Sequence, residues 1–133
     1  TSVRKRLVIE NDERSYTAHD CLQLSKQLHI PVLFDILHHQ INNLNEPLQN
    51  IFRLITDTWK KRDGIPMVDY SSQELNEKIG KHATHINPND FINFLRSLNS
   101  IDIDIMLEIK DKEKSALEAI SLAKNDPRFI HVS

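Results

Sequence analysis

Four short apolar runs in this chain each close on a carboxylate. Leu7-Val8-Ile9 leads into Glu10, Val32-Leu33-Phe34 into Asp35, Ile65-Pro66-Met67-Val68 into Asp69, and the run from Ile101 to Leu107 into Glu108. His38 and His39 follow Asp35 within four residues, and His82 and His85 fall in a polar stretch after Asp69. An acid at the end of a buried strand is costly unless something positive meets it. Four such acids converging on one place repel one another without cations between them. Carboxylates and imidazoles without thiolates form the donor set of manganese, magnesium, zinc or iron. Asp35 and His38, three apart across a strand-to-loop transition, could reach one ion, with Glu10, His82 and Glu108 joining from separate units. A salt bridge to Arg or Lys is the alternative for each acid, and the recurrence weighs against it. His19, His29 and His131 read as surface or helix-end residues; His39 and His85 stay open between a donor that orients a ligand and loop filler.

Other chemistries find little support. Ser71 and Ser72 lack the strained strand-to-helix elbow of a nucleophile, and with 2 glycines in the chain there is no phosphate-cradling loop. Lys110 and Lys112, just past Glu108, could contact phosphate. Ser71, Ser72 and Gln73 could do the same through hydroxyl, amide or backbone donors. The net charge of -2 supplies no global field for nucleic acid, so such contacts would be local.

The elements that position these residues follow from the patterning. The 133 residues allow one domain with a real core, and 39% hydrophobic with 27% charged residues is the composition of an ordinary globular protein. No signal peptide or membrane-spanning run is visible. The single Cys21, on an apolar stripe, reads as buried filler and fits a reducing, cytoplasmic setting. The first strand is expected from Leu7 to Glu10. Thr17 with Asp20 makes a capping box for a helix to Leu28, and Pro31 opens a strand from Val32 to Asp35. A long helix is expected from Glu46-Pro47 through Trp59, read as core, to Asp63-Gly64. A third strand runs to Asp69, one helical turn lies within Glu74 to Ile79, and a helix begins at Pro88. The fourth strand is Ile101 to Glu108, its first half at an edge because Asp102 and Asp104 interrupt it. The last helix is Lys112 to Lys124. Residues 125–133 form a tail, with Phe129 and Ile130 placed to dock it.

Strand and helix thus alternate four times, the pattern of an α/β fold with parallel strands buried on both faces. Ligands of such sheets lie at the carboxyl ends of the strands. A closed barrel needs eight strands and about 250 residues, and four strands leave two open edges. The chain is therefore expected to be a single domain, 1–133, that is half of a barrel or that pairs with a second copy at its open edges.

Four segments together resemble the UV-damage endonuclease family. They are Arg6-Leu7-Val8-Ile9-Glu10-Asn11-Asp12-Glu13, Phe34-Asp35-Ile36-Leu37-His38-His39, Tyr70-Ser71-Ser72, and Glu108-Ile109-Lys110-Asp111-Lys112-Glu113. The resemblance runs from about Arg6 to Lys124. It implies the C-terminal half of a TIM barrel related to endonuclease IV and the xylose isomerase-like architecture, with divalent metals at its top face. Manganese is the metal it favours, with magnesium, zinc and cobalt as alternatives. It implies nicking of double-stranded DNA immediately 5′ to UV photoproducts, by the whole barrel rather than by this half, whose N-terminal complement would bring further histidines. Glu10, Asp35, His38, His82 and Glu108 fall where the family places metal ligands, with Glu10, Asp35 and Glu108 as the catalytic acids. Asp69 stands where the family has a histidine, and Met67 where it has a lysine that is modified in some members. Two other readings remain: a metal-dependent sugar isomerase of related architecture, and a non-catalytic damage-binding or dimerising half-barrel.

Overall fold

The computed structural model describes residues 2–98 and 101–131. In order, the elements are β1 (Ile9–Glu10), α1 (Ala18–Leu28), β2 (Val32–Asp35), α2 (Ile36–Ile41), α3 (Leu48–Thr56), β3 (Met67–Tyr70), α4 (Pro88–Ser97), β4 (Asp104–Leu107) and α5 (Glu113–Ala123). A 3-10 turn at Arg4–Arg6 precedes them. All strand pairings are parallel and the strands lie in sequence order, so the four-stranded sheet is the expected α/β one, open among the described residues.

Register decides which side chains meet. Phe34 stands opposite Val68, Asp35 opposite Asp69, and Asp69 opposite Met106. Side chains alternate between the faces of a strand, so Val32, Phe34, Val68 and Tyr70 share one face, and Leu33, Asp35, Met67, Asp69 and Met106 the other. The first face is packed: those four residues are at most 2% exposed, under Ile51, Phe52 and Ile55 of α3 and Phe91 and Phe94 of α4. The Tyr70 ring stacks 4.8 Å from Phe94 and 5.1 Å from Phe91. The second face is not packed in this way. Leu33 and Met67 are half-buried and Met106 is 50% exposed. Burial on both faces was the expectation; instead α1, α3, α4 and α5 all add buried residues to the single core on the first face.

The start of α1 was legible from its capping box and that of α4 from its proline. Thr17 and Asp20 form the reciprocal capping box of α1, and Asn87 accepts from the backbone of Asn89 and Asp90 ahead of α4, with Pro88 in the first turn. Other boundaries moved. Strand β1 is only Ile9–Glu10, and Leu7 and Val8 are exposed. His38 and His39, expected past a strand in a loop, lie on the short helix α2, which Asp35 caps by accepting the His38 backbone N–H at 2.8 Å.

Helix α3 stops at Thr56 instead of running past Trp59. The reason is tertiary. Thr58 Oγ1 accepts the Val32 N–H at 2.9 Å and Trp59 Nε1 donates to the Val32 carbonyl at 2.7 Å, so both residues must leave the helix to hold the start of β2. Trp59 is accordingly half-buried rather than core. Strand β3 ends one residue beyond Asp69, at Tyr70, and β4 begins at Asp104 rather than Ile101. Residues 74–79 form turns, not a helical turn. The tail is docked by Arg128, which donates to the carbonyls of Leu95 (2.9 Å) and Ile101 (3.1 Å) while Asp126 pairs with it. Phe129 is half-buried and Ile130 is 74% exposed; the last two residues of the expected tail, 132 and 133, lie outside the described residues.

Candidate metal centre

The uncovered face of the sheet gathers the acids at the carboxyl ends of its strands. One ligand atom each from Glu10, Asp35 and His38 lie within 4.8 Å of one another, and so do one each from Asp35, Asp69 and Glu108. Asp35 belongs to both groups. It is 1% exposed and its main chain is held from both sides by one side chain: Asn11 Nδ2 donates to the Asp35 carbonyl and Asn11 Oδ1 accepts the Asp35 N–H, each at 3.0 Å. Asn11 is itself 1% exposed. The sequence reading passed over it as the start of a loop, although a polar residue directly after a strand-end acid was a visible signal.

The two histidines are oriented by main-chain carbonyls. His38 Nδ1 lies 3.0 Å from the Asn11 carbonyl, and His82 Nδ1 lies 2.9 Å from the Glu108 carbonyl. A carbonyl only accepts, so in this geometry each Nδ1 carries the proton. Such bonds fix tautomer and ring direction in the way metal-ligating histidines are usually fixed. His38 Nδ1 is also 3.4 Å from Asp35 Oδ2 and 3.7 Å from Glu10 Oε1, and its Nε2 is 3.7 Å from Glu13 Oε2. The two rings approach edge to face with centroids 6.1 Å apart. Gly80, at a φ of +87°, lets the loop after β3 pass close to Glu13, whose Cγ is 3.5 Å from where a Cβ would sit.

Electrostatics show what the cluster lacks. Burial, then the charges of Glu108, Glu10 and Asp35, push the Asp69 carboxyl up to about 7. Burial and the Asp35 charge raise Glu10. Burial also raises Asp35, against the opposing pull of the His38 backbone N–H and ring. Asp69 Oδ1 is buried without a hydrogen-bond partner, a costly state for a carboxylate oxygen. Clustered acids held up by one another, an orphaned carboxylate oxygen and imidazoles oriented from behind fit a divalent cation.

The remaining expected residues divide. Lys110 and Lys112 are exposed beside Glu108. Ser72 Oγ lies 3.3 Å from Tyr70 Oη at the mouth of the loop. Ser71 is 2% exposed, its hydroxyl donating to the Ser72 carbonyl. The Gln73 amide staples the loop, donating at 3.0 Å to the carbonyls of Glu74 and Lys78 and accepting the Gly80 N–H at 2.8 Å. His39 is buried against Phe34 with its Nδ1 unpartnered, away from the acid cluster's hydrogen bonds. His19, His29 and His131 are exposed, as expected, and Cys21 is buried, its thiol raised by that burial to about 11. Among the described residues, no helix is long and apolar enough to cross a membrane.

Known proteins are similar to this chain in sequence and fold. The family model described as UV-endonuclease UvdE matches residues 1–130. A UV DNA damage endonuclease of Clostridium perfringens (strain 13 / Type A) is 42% identical over 125 residues, which is 92% of this chain and 30% of that protein. One from Bacillus cereus (strain Q1) is 32% identical over 120 residues, 89% of this chain and 38% of that protein. The chain thus spans about a third of the length of these relatives. The crystal structure of SacUVDE, a TIM-barrel-like fold, superposes with a TM-score of 0.83 at 50% identity, over 90% of this chain and 40% of that one. The family match over nearly the whole chain and the superposition of its four strand–helix units agree. This chain belongs to the UV-endonuclease UvdE family.

Proposed function

We propose that this chain supplies part of the active centre of a DNA endonuclease that cuts the phosphodiester immediately 5′ to UV photoproducts. Water would attack phosphorus, the bond to the 3′ oxygen would break, and the products would be a 3′-hydroxyl and a 5′-phosphate. The observation that carries this reading is the gathering of strand-end acids around a buried, unpartnered Asp69 oxygen. The relatives' names point to the substrate.

Glu10, Asp35, His38, Asp69, His82 and Glu108 are the residues proposed to hold divalent metal. Manganese is the favoured ion, because carboxylates outnumber imidazoles and no thiolate takes part. A cation in such a site supplies Lewis acidity toward a phosphoryl oxygen and acidifies water at neutral pH. The chain's own residues do the rest. Asp35, locked by Asn11, sets the position shared by both groups of acids. Asp69 releases its proton when a cation enters. Glu10, Asp35 and Glu108 are proposed as the catalytic acids. Lys110, Lys112 and Ser72 are proposed to touch backbone phosphates of duplex DNA, with Ser71 and Gln73 shaping the loop from within. In the intact enzyme the open inner face is proposed to meet the rest of the barrel.

The test grafts this chain in place of the matching 125 residues of the Clostridium perfringens relative and follows nicking of UV-irradiated and unirradiated supercoiled plasmid with manganese. Damage-dependent nicking that Glu108→Gln reduces by at least about a hundredfold is expected. A graft that is folded, takes up manganese and leaves irradiated plasmid intact would sink the proposal. Manganese-independent binding to irradiated DNA without cutting would instead favour a damage-binding role.

A further inference from the structure

The segment from His82 to Ile86 is seamed to the turn that leads into α5. Lys110 and Asp111 donate their backbone N–H groups to the carbonyls of Ala83 (3.2 Å) and Thr84 (3.1 Å), and the Ile86 N–H donates to Ser115 Oγ at 2.9 Å. At the near end of this seam His82 reaches Glu108. At the far end His85 sits between two carboxylates: Nδ1 is 2.5 Å from Asp111 Oδ2 and Nε2 is 2.8 Å from Glu118 Oε2. Behind Asp111, the fully buried Ser115 hydroxyl donates to its other oxygen. Asp111 is thereby fixed by His85 and Ser115 together, which gives this acid of the Lys-Asp-Lys-Glu stretch a structural task that the metal centre leaves unexplained.

We propose that His85 is a positioning residue, an imidazolium clasp between Asp111 and Glu118 that holds the segment carrying His82 in place at the candidate metal centre. The inference rests on reading His82 as a metal ligand. An imidazole donates from both nitrogens only when protonated; once neutral, it turns a lone pair toward one of the two carboxylates and that half of the clasp opens. Asp111 from the turn and Glu118 from α5 are the charged groups facing the ring, and Ser115 Oγ, 3.5 Å from Nδ1, is the neutral one. The hydrogen bond to Asp111, followed by that to Glu118, raises His85 above the ordinary imidazole range. The clasp is therefore fully closed below the ordinary histidine pKa and is lost as pH rises through the raised value.

Amide exchange of the metal-free chain, corrected for the intrinsic rate at each pH, tests the clasp. The Asp111 and Ile86 amides are expected to exchange about tenfold faster at pH 8.5 than at pH 6, because one of the clasp's two charge-assisted bonds is gone. In His85→Gln that pH dependence should vanish, and in Glu118→Gln its midpoint should move to lower pH. Manganese binding then tests the positioning. The wild type should bind about tenfold tighter than His85→Gln at pH 6.5, the size of effect typical for residues that orient a ligand, with the two converging at pH 8.5. The same ratio at both values would mean a merely structural side chain and overturns the proposal. A wild-type chain that takes up no manganese overturns the metal reading and the positioning role with it, while the exchange arm still decides whether the clasp exists.

Discussion

The two faces of one sheet, barely the thickness of a strand apart, follow opposite rules. On one face Val32, Phe34, Val68 and Tyr70 are packed by helices and no more than 2% exposed. On the other, one residue away along the same strands, Asp35 and Asp69 are buried at 1% and 5% exposure. There they face one another and Glu10 and Glu108 in a cluster that raises its own protonation equilibria. The first face lowers the free energy of folding by removing apolar surface from water. The second raises it, because like charges are held together and a carboxylate oxygen lies without a partner. A chain keeps such a face when a ligand reverses the sign. Core packing and the acid cluster are thus divided between the two alternating sets of side chains of short strands.

The sharpest way to break that comparison is a pair of neighbours on β2. Phe34→Ala removes a fully buried ring and should cost about 3–5 kcal/mol, lowering the denaturant midpoint far enough to leave the chain marginal. Leu33→Ala, on the open face and only half-buried, should cost about 1 kcal/mol or less by the same measurement. Equal losses would show that the open face is a second core and would remove the distinction.

Asn11→Ala comes next. The side chain makes two hydrogen bonds to the buried Asp35 main chain, and its removal takes both away: the Asp35 N–H loses its Asn11 acceptor, and the carbonyl, which also caps α2, loses one of its donors. A loss of about 1–3 kcal/mol is expected in urea unfolding. Because Asp35 lies in both acid groups, manganese affinity should fall about tenfold as well. A stability loss with unchanged metal affinity would mean that Asn11 supports the fold but does not position the site.

The parts legible in the sequence were those in which local chemistry decides. Thr17 with Asp20 announced α1 because a side chain next door completes the backbone bonds, and Pro88 announced α4 because its ring presets the first helical turn. The strand-end acids were visible because a charge closing an apolar run is rare without a reason. The parts that were not legible depend on residues far away in sequence. Helix α3 ends at Thr56 because Thr58 and Trp59 hold Val32, more than 25 residues earlier. Helix α2 hid because Val32 to Leu37 is an apolar stretch interrupted only by Asp35, and only the backbone shows that Asp35 both ends a strand and caps a helix. His85 gave no periodic or spacing signal at all; its partners Asp111 and Glu118 lie 26 and 33 residues away.

Asp69→Asn should move stability the other way. A carboxyl raised to about 7 in the folded chain against an unfolded value near 3.8 favours folding below the unfolded value, and that contribution is lost as pH rises through about 7. The metal-free wild type should therefore weaken between pH 4 and pH 7.5, and the asparagine variant should lack this component. At pH 7.5 the variant is expected to be about 1–2 kcal/mol more stable, having one less buried charge, and to bind manganese more weakly. Added manganese should stabilise the wild type in proportion to its occupancy. A variant with the same pH profile as the wild type would mean that Asp69 is not the group titrating.

The smallest effect belongs to Met67, two residues before Asp69 on the same strand and the same open face. Met67→Lys would place an ammonium on a four-carbon stem beside three or four carboxylates that hold one another's protons. An opposite charge within about 4–6 Å favours the ionised carboxyl by roughly a pH unit or more. The half-buried position leaves the stem room to keep its charge hydrated. The Asp69 titration, followed by its carboxyl carbon resonance, should shift down by about one unit, and the fall in metal-free stability should begin at lower pH. Manganese affinity should then drop modestly above pH 7, where the lysine competes for the acids, and change little below it. If Asp69 titrates unchanged, the lysine has turned away from the acids, and the open face is wide enough at this depth for water to screen them. That outcome would place the site's electrostatic strain at the strand ends alone, in Glu10, Asp35, Asp69 and Glu108, rather than along the whole uncovered face.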